Sequence, residues 1–278
     1  MTVRALMIWA AGCLEACGIG EAAAEAAALW RGLFELSLND YARRLFDEAD
    51  PDAEAHFREA VKRRCGREPV QRIIGRAPFM DDDFEINAAT LIPRFDSEVL
   101  VLEAEKALMG REEARVLDMC TGSGCLILSL LKRHPHLTGV GSDIAGEAVE
   151  AARRNAARIG IDRVAFVTGD LFSPVTGTYD IILSNPPYIR HDDIARLDEE
   201  VRGFEPAAAL DGGADGLDFY RRIIDEAPVF LNDGGVLLFE IGCDEGAETA
   251  SLMRQAGFRD VRIVRDLAGL DRVVSGVK

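Results

Sequence analysis

The sequence predicts an α/β protein: a doubly wound, mainly parallel sheet with helices on both faces, joined by a β-hairpin to a small helical domain before it. Three observations carry this. Residues 1–72 place apolar side chains at helical spacing and hold few β-branched runs. From Ala114 onward, short β-rich stretches alternate with helical patterns, the signature of parallel strands and their crossover helices. Between them, residues 73–94 carry Gly75, Pro78 and Asp81-Asp82-Asp83 before Phe84-Glu85-Ile86, which reads as a turn between two short strands. The expected organisation is therefore a helical domain over 1–72, a hairpin linker over 73–94 and an α/β domain over 95–278.

In the first domain, Leu6, Trp9, Cys13, Leu14 and Cys17 recur at helical spacing after Arg4. A short signal peptide is the other reading of this apolar stretch, but Glu15 follows at once and the periodicity favours an amphipathic helix. Further helices are expected over 21–36, 39–49 and 53–64, with Asp50-Pro51 separating the last two. In the α/β part, Asp96 is expected to cap a helix running to about Met109, with Glu98 in its first turn. Strands follow over 115–119, 139–142, 164–168, 180–184 and 235–241. Helices are expected over 125–133, 146–159, 215–231 and 245–256, and the strands 261–265 and 272–276 close the chain as a hairpin.

A chain of 278 residues that is 48% hydrophobic and 29% charged can bury a core and excludes disorder. Its 32 basic and 48 acidic residues leave a formal charge of −16. Such a surface repels phosphate backbones, so neither stable nucleic-acid binding nor an anionic membrane is expected, and a protein partner suits the charge better. No segment approaches the roughly 20 apolar residues of a membrane span. Six cysteines without a Cys-x-x-Cys, and four histidines without ligand spacing, fit a reducing cytoplasm and no metal site.

Two motifs carry the chemistry. Val116-Leu117-Asp118-Met119 runs into Cys120-Thr121-Gly122-Ser123-Gly124 and then a helix. A strand passing through glycines into a helix N-terminus lets backbone approach a ligand closely, and Asp143 ends the next strand, where a carboxylate accepts both hydroxyls of a ribose. A dinucleotide site usually has a third glycine three residues after Gly124; that residue is Ile127. S-adenosylmethionine, with an ammonium and a carboxylate instead of phosphates, suits the turn better, and Asp118 lies near the expected place of the ammonium. In the second motif, the apolar run Ile181-Ile182-Leu183-Ser184 leads into Asn185-Pro186-Pro187-Tyr188. The prolines fix their own φ angles and push Asn185 towards extended geometry. This stiff platform offers an amide oxygen, a backbone carbonyl and an aromatic face, the parts needed to grip a planar NH₂ group.

The chain resembles class I methyltransferases of the amino-methylating kind. More narrowly, Gln71-Arg72-Ile73-Ile74-Gly75, Leu91-Ile92-Pro93-Arg94, Ser97-Glu98, Glu205-Pro206, Gly212-Gly213 and Asp215-Gly216-Leu217 resemble the HemK family, which methylates the glutamine of the Gly-Gly-Gln motif in peptide chain release factors. The resemblance covers nearly all of 70–278. It implies transfer of a methyl group from S-adenosylmethionine to the glutamine N5. Asn185, Pro186 and Tyr188 would act at the reacting nitrogen, with Pro187 and Arg94 beside the substrate. Cys120, Thr121, Gly122, Ser123, Gly124, Asp143, Asp170, Leu171 and Asn185 would hold the cofactor. It further implies that the helical domain binds the protein partner. Three residues depart from the family pattern: Cys120 stands at a usual glycine, Phe95 at the proline after the arginine, and Leu171 where some relatives carry an aromatic. A glutamine of a ribosomal protein is the closest alternative target, and an adenine N6 of DNA or RNA a more distant one lacking its expected basic stripe.

Overall fold

The computed structural model describes residues 1–111 and 113–278. The chain divides into two compact units, one made of Met1–Arg76 with Asp198–Phe204, the other of Ala77–Leu197 with Glu205–Lys278.

The first unit contains α1 (Val3–Ala16), α2 (Ala22–Leu33), α3 (Leu38–Arg44), α4 (Pro51–Cys65) and α5 (Val70–Ile74). Val3, Leu6, Met7, Ala10 and Leu14 form the buried stripe of α1. It packs with Ala26, Leu29 and Trp30 of α2 and Phe57, Ala60 and Val61 of α4. The Trp30 and Phe57 rings meet edge to face at 5.1 Å. Trp9 lies at the edge of the α1 stripe, its ring 4.1 Å from the Arg58 guanidinium. The helix expected to run to 49 stops at Arg44 for a tertiary reason. The first turn of α1 leaves its N–H groups without partners, and residues 45–49 supply them: the Leu45 and Asp47 carbonyls accept from Arg4 N at 2.7 Å and Val3 N at 3.0 Å. A segment serving another helix end in this way cannot close its own helical bonds. Asp50 caps α4 through its Oδ1, which accepts from Asp52 N and Ala53 N, and Pro51 takes the first helical position.

The second unit begins with the hairpin β1 (Arg76–Phe79) and β2 (Asp82–Glu85), then α6 (Glu98–Leu108), β3 (Arg115–Met119), α7 (Cys125–Arg133), β4 (Thr138–Asp143), α8 (Gly146–Ile159), β5 (Val164–Thr168) and β6 (Tyr179–Ser184). After α9 (Glu199–Phe204), which belongs to the helical unit, come α10 (Asp218–Phe230), β7 (Leu231–Glu240), α11 (Gly246–Gln255), β8 (Arg259–Arg265) and β9 (Asp271–Val277). The seven-stranded sheet has the order β5-β4-β3-β6-β7-β9-β8. It is parallel from β5 to β7, and the β8–β9 hairpin adds the antiparallel edge. Both faces are buried. Val116, Ile181, Leu183, Val236 and Leu238 pack into one core, while Leu117, Ile182, Leu237 and Phe239 alternate into the other. Each such side chain contributes about 1.5–3 kcal/mol of burial.

Two expectations change here, and one helix was not expected. Asp96 does not cap α6: it lies in the 3₁₀ turn Phe95–Ser97 and reaches Arg272 at 3.4 Å. The helix expected from 215 starts at Asp218, because Gly213 and Gly216 have φ of +90° and +82° and the Asp215 carboxylate turns back to accept from Leu217 N. The α9 segment had no sequence signal strong enough to predict it. Arg64 explains its place. The guanidinium is 7% exposed, donating to Glu25 Oε1 at 3.2 Å and to Glu200 Oε1 at 3.3 Å. Arg64→Met should therefore cost about 2 kcal/mol, below the value for a fully buried pair because both carboxylates keep some solvent. It should also accelerate amide exchange selectively across Glu199–Phe204. Hydrogen-exchange mass spectrometry checks this, and unchanged protection there would remove Arg64 as the anchor.

Candidate active site

The order of the sheet reverses between β3 and β6, where a doubly wound fold opens a crevice at the carboxyl ends of its strands. A cavity of about 500 Å³ lies in this crevice. Both chemical motifs end there, because β3 and β6 are adjacent and Met119 stands opposite Ser184. The Ser184 hydroxyl donates to the Met119 carbonyl at 2.7 Å and ties the strand ends together.

The turn after β3 is built from left-handed residues: Cys120 has φ +62°, Gly122 +55° and Gly124 +78°. Thr121 N donates to the Ser142 carbonyl at 3.0 Å, so the turn is stitched to β4. Asp118 is fully buried beneath it and accepts from the Thr121 hydroxyl at 2.6 Å. It does not line the cavity, which corrects the expectation of an ammonium partner there. Its role is to brace the turn from below. Ile127, at the position of the usual third glycine, is a core residue; the glycine stands on the strand instead, since a Cβ on Gly139 would come within 2.6 Å of Ile127 Cδ1.

Asp143 ends β4 at the cavity wall. Its Oδ2 accepts from Gly122 N at 2.8 Å and its Oδ1 from Ala145 N at 2.9 Å. Burial pushes its carboxyl above the usual range, and these two amides pull the other way. Each oxygen keeps a lone pair for a ligand hydroxyl. Asp170 also lines the cavity and is paired with Arg222 at 2.6 Å, and buried Leu171 supplies apolar wall.

At the end of β6, half-buried Asn185 and buried Pro187 line the same cavity. Asn185 Nδ2 donates to the Ser97 hydroxyl at 3.5 Å, a long bond. Arg94 faces the cavity too, held by Glu205 at 2.8 Å, whose other oxygen accepts from Ile92 N. Glu205 thus anchors the Leu91-Ile92-Pro93-Arg94 segment. Glu98 does not join it; its carboxylate accepts from Met80 N at the hairpin turn. Cys120, Thr121, Gly122 and Ser123 complete the shared lining, whereas Gly124, Pro186 and Tyr188 are not among the lining residues. Gly124 instead packs against Ala152 of α8. The Tyr188 backbone lies against Gly212, where a Cβ would come within 2.6 Å of Tyr188 Cα.

Residues 95–201 match the model of the Methyltransferase small domain, and residues 5–75 that of the PrmC N-terminal domain. A release factor glutamine methyltransferase of Agrobacterium fabrum is 40% identical over 279 residues, 99% of this chain and 96% of that one. One from Geobacter sulfurreducens is 41% identical over 282 residues, again 99% and 96%. The chain belongs to the release factor glutamine methyltransferase family. A solved methyltransferase from Pyrococcus furiosus, 20% identical, covers 70% of this chain and 88% of its own with a TM-score of 0.53, a likeness of fold alone. The doubly wound, mainly parallel sheet predicted from the strand and helix alternation is the observed one, and the methyltransferase class that the motifs and the resemblance implied is the one these relatives share.

Within this methyltransferase, three buried carboxyls escaped the sequence reading as a group: Asp118, Glu240 and Glu245 are each pushed up to about 7, chiefly by burial. Glu245 clamps the loop after β7, accepting from Gly242 N at 3.0 Å. The only sequence signal for Glu240 was an acid inside an otherwise apolar strand. Since the folded value of Asp118 lies above its unfolded one, the carboxyl takes up a proton on folding. Its stabilising contribution is complete below about pH 4 and is lost as pH rises through about 7. Asp118→Asn keeps an acceptor for Thr121 and removes this dependence. Its melting temperature relative to wild type should climb from pH 5 and level off above about pH 7, and a constant difference from pH 5 to pH 8 would contradict the assignment.

Proposed function

We propose that this chain transfers a methyl group from S-adenosylmethionine to the side-chain amide nitrogen of the glutamine in the Gly-Gly-Gln motif of peptide chain release factors. The observation that carries the proposal is the presence of Asp143 and Asn185 in one cavity: a carboxylate suited to a ribose beside an amide suited to an NH₂ group. The residues present fit the cofactor. Asp143 has acceptor capacity to spare, the turn at Thr121–Ser123 exposes backbone on the cavity wall, and Leu171 offers apolar contact. When bound, S-adenosylmethionine supplies an electrophilic methyl group on a sulfonium.

The remaining work belongs to the chain. An amide nitrogen is a poor nucleophile because its lone pair is delocalised into the carbonyl. The Asn185 Oδ1 and the Pro186 carbonyl accept the two N–H bonds, orient the nitrogen and stabilise the positive charge that develops on it. Tyr188 braces the platform through its partly buried ring, with its phenol held well above the ordinary range by desolvation. Pro187 and Arg94 shape the entrance. The Glu205 partner keeps the Arg94 guanidinium in one place, where it can contact peptide carbonyls. The helical unit recognises the body of the release factor. No helix of the described residues is long and apolar enough to cross a membrane, and a substrate that works on ribosomes gives the cytoplasm as the working compartment.

The test is to incubate the protein with labelled S-adenosylmethionine and full-length release factors, ribosomal proteins and RNA, then map the methylated atom by mass spectrometry. Methyl on the Gly-Gly-Gln glutamine is expected; methylation of a ribosomal-protein glutamine or of an RNA adenine alone would overturn the reading. Asn185→Ala should lower turnover by about 10²–10³, the typical loss of one preorganised polar contact, with melting temperature and cofactor affinity little changed. Near-normal turnover of a folded variant would remove Asn185 from the chemistry. Asp143→Ala should weaken S-adenosylmethionine binding by about 1.5–3 kcal/mol, since charge-assisted hydrogen bonds disappear. Calorimetry on the folded variant reads this directly.

A further inference from the structure

Nothing in the cavity itself decides which way the Asn185 amide faces. Its two ends differ by one oxygen and one NH₂, similar in size and opposite in hydrogen bonding. Only the oxygen can accept from a substrate NH₂, so a flipped amide would present two donors to two donors. The nearest bonded neighbour, the Ser97 hydroxyl, both donates and accepts and is indifferent to the flip. Something else has to break the tie.

Strand register supplies it. Ser184 of β6 pairs with Phe239 of β7, so the next residues, Asn185 and Glu240, stand side by side at the carboxyl edge of the sheet. Glu240 is the last residue of β7 and only 2% exposed. Its Oε2 is buried without a hydrogen-bond partner among the described residues. The Ser97 hydroxyl and the Asn185 amide are the polar groups that approach the carboxylate. It does not line the cavity. We propose that Glu240 is a positioning residue: its carboxylate, which can only accept, holds the Asn185 NH₂ towards the sheet and so turns Oδ1 into the cavity. The inference rests on the reading of Asn185 as the residue that grips the target amide.

The electrostatics agree with the geometry. Burial pushes the Glu240 carboxyl up to about 7; Ser97, Arg272 and Asn185 lower it, and Asp96 raises it. Arg272 comes from β9, Asp96 from the turn before α6, the Tyr188 phenol from the loop after β6, Tyr220 from α10 and Cys125 from α7. Arg272 is shared with Asp266 at 3.1 Å and Asp96 at 3.4 Å, so its charge is divided and the Glu240 carboxyl stays close to neutrality. Once protonated, Glu240 carries an O–H donor as well as an acceptor and accepts either orientation of the amide. The discrimination is therefore present above about pH 7 and lost below it.

The test measures kcat and KM against pH for the holoenzyme with full-length release factor, in wild type and Glu240→Gln. Glutamine keeps the volume but can donate, so kcat should fall about 10-fold or more at pH 8, with KM for both substrates within about twofold. Wild-type kcat should fall as pH drops through about 7, and this limb should vanish in the variant, where Asp118 and Glu245 still titrate. Independently of any substrate, the ¹⁵N-labelled side-chain NH₂ of Asn185, assigned by its loss in Asn185→Ala, should shift with a midpoint near pH 7. If Glu240→Gln fails to fold, that wild-type titration decides. An Asn185 NH₂ signal that does not respond between pH 5 and 9, or a folded Glu240→Gln with wild-type kcat and an unaltered acidic limb, overturns the proposal. Absence of release-factor methylation by wild type would instead count against the function proposed above; the Asn185 titration, which needs no substrate, then decides the role of Glu240 by itself.

Discussion

The register between β3 and β6 is the constraint on which the rest of the site depends. With Met119 opposite Ser184, the glycine turn and the Asn-Pro-Pro platform leave the sheet at the same height. A shift by one residue would send Ser184 to the other face and remove its bond to the Met119 carbonyl. The two cores hold this register by alternating Ile181 and Leu183 with Ile182 on opposite faces. The chemistry is thus positioned by apolar residues that touch no ligand.

Around that edge the protein buries charge at a cost to stability. Asp118, Glu240 and Glu245 are all within 4% of complete burial, and each is pushed towards neutrality by loss of solvent. Removing an ionisable group from water costs free energy unless its hydrogen bonds are replaced inside the protein. Each has a task at the carboxyl ends of the strands: Asp118 supports Thr121, Glu245 clamps the loop at Gly242, and Glu240 stands beside Asn185.

Much of this was legible in the sequence, for reasons that differ by element. β3, α7, α8 and β5 fall at the predicted bounds because period and propensity agree there and glycines punctuate them. Ten of the thirteen residues expected at the site share the cavity wall, since spacing along a strand-turn-helix unit fixes where a side chain can reach. What failed was non-local. The end of α3 was set by the needs of the α1 N-terminus, and the partners of Glu205, Ile92 and Arg94, lie more than a hundred residues away in chain order, beyond any periodicity. Asp118 was placed on the correct turn but on its wrong side, because a sequence shows that an acid is adjacent to a loop and not whether it lies above or beneath it.

The return of Asp198–Phe204 to the helical unit has a bearing on how the chain is made. Arg64 and Glu200 are 136 residues apart, and closing a loop of that length costs roughly 4 kcal/mol of chain entropy on logarithmic scaling. An emerging polypeptide can form the α1–α5 bundle early, yet its last partner arrives only after β3 to β6 have been synthesised. The helical unit is therefore completed late, during translation of the α/β part and not before it.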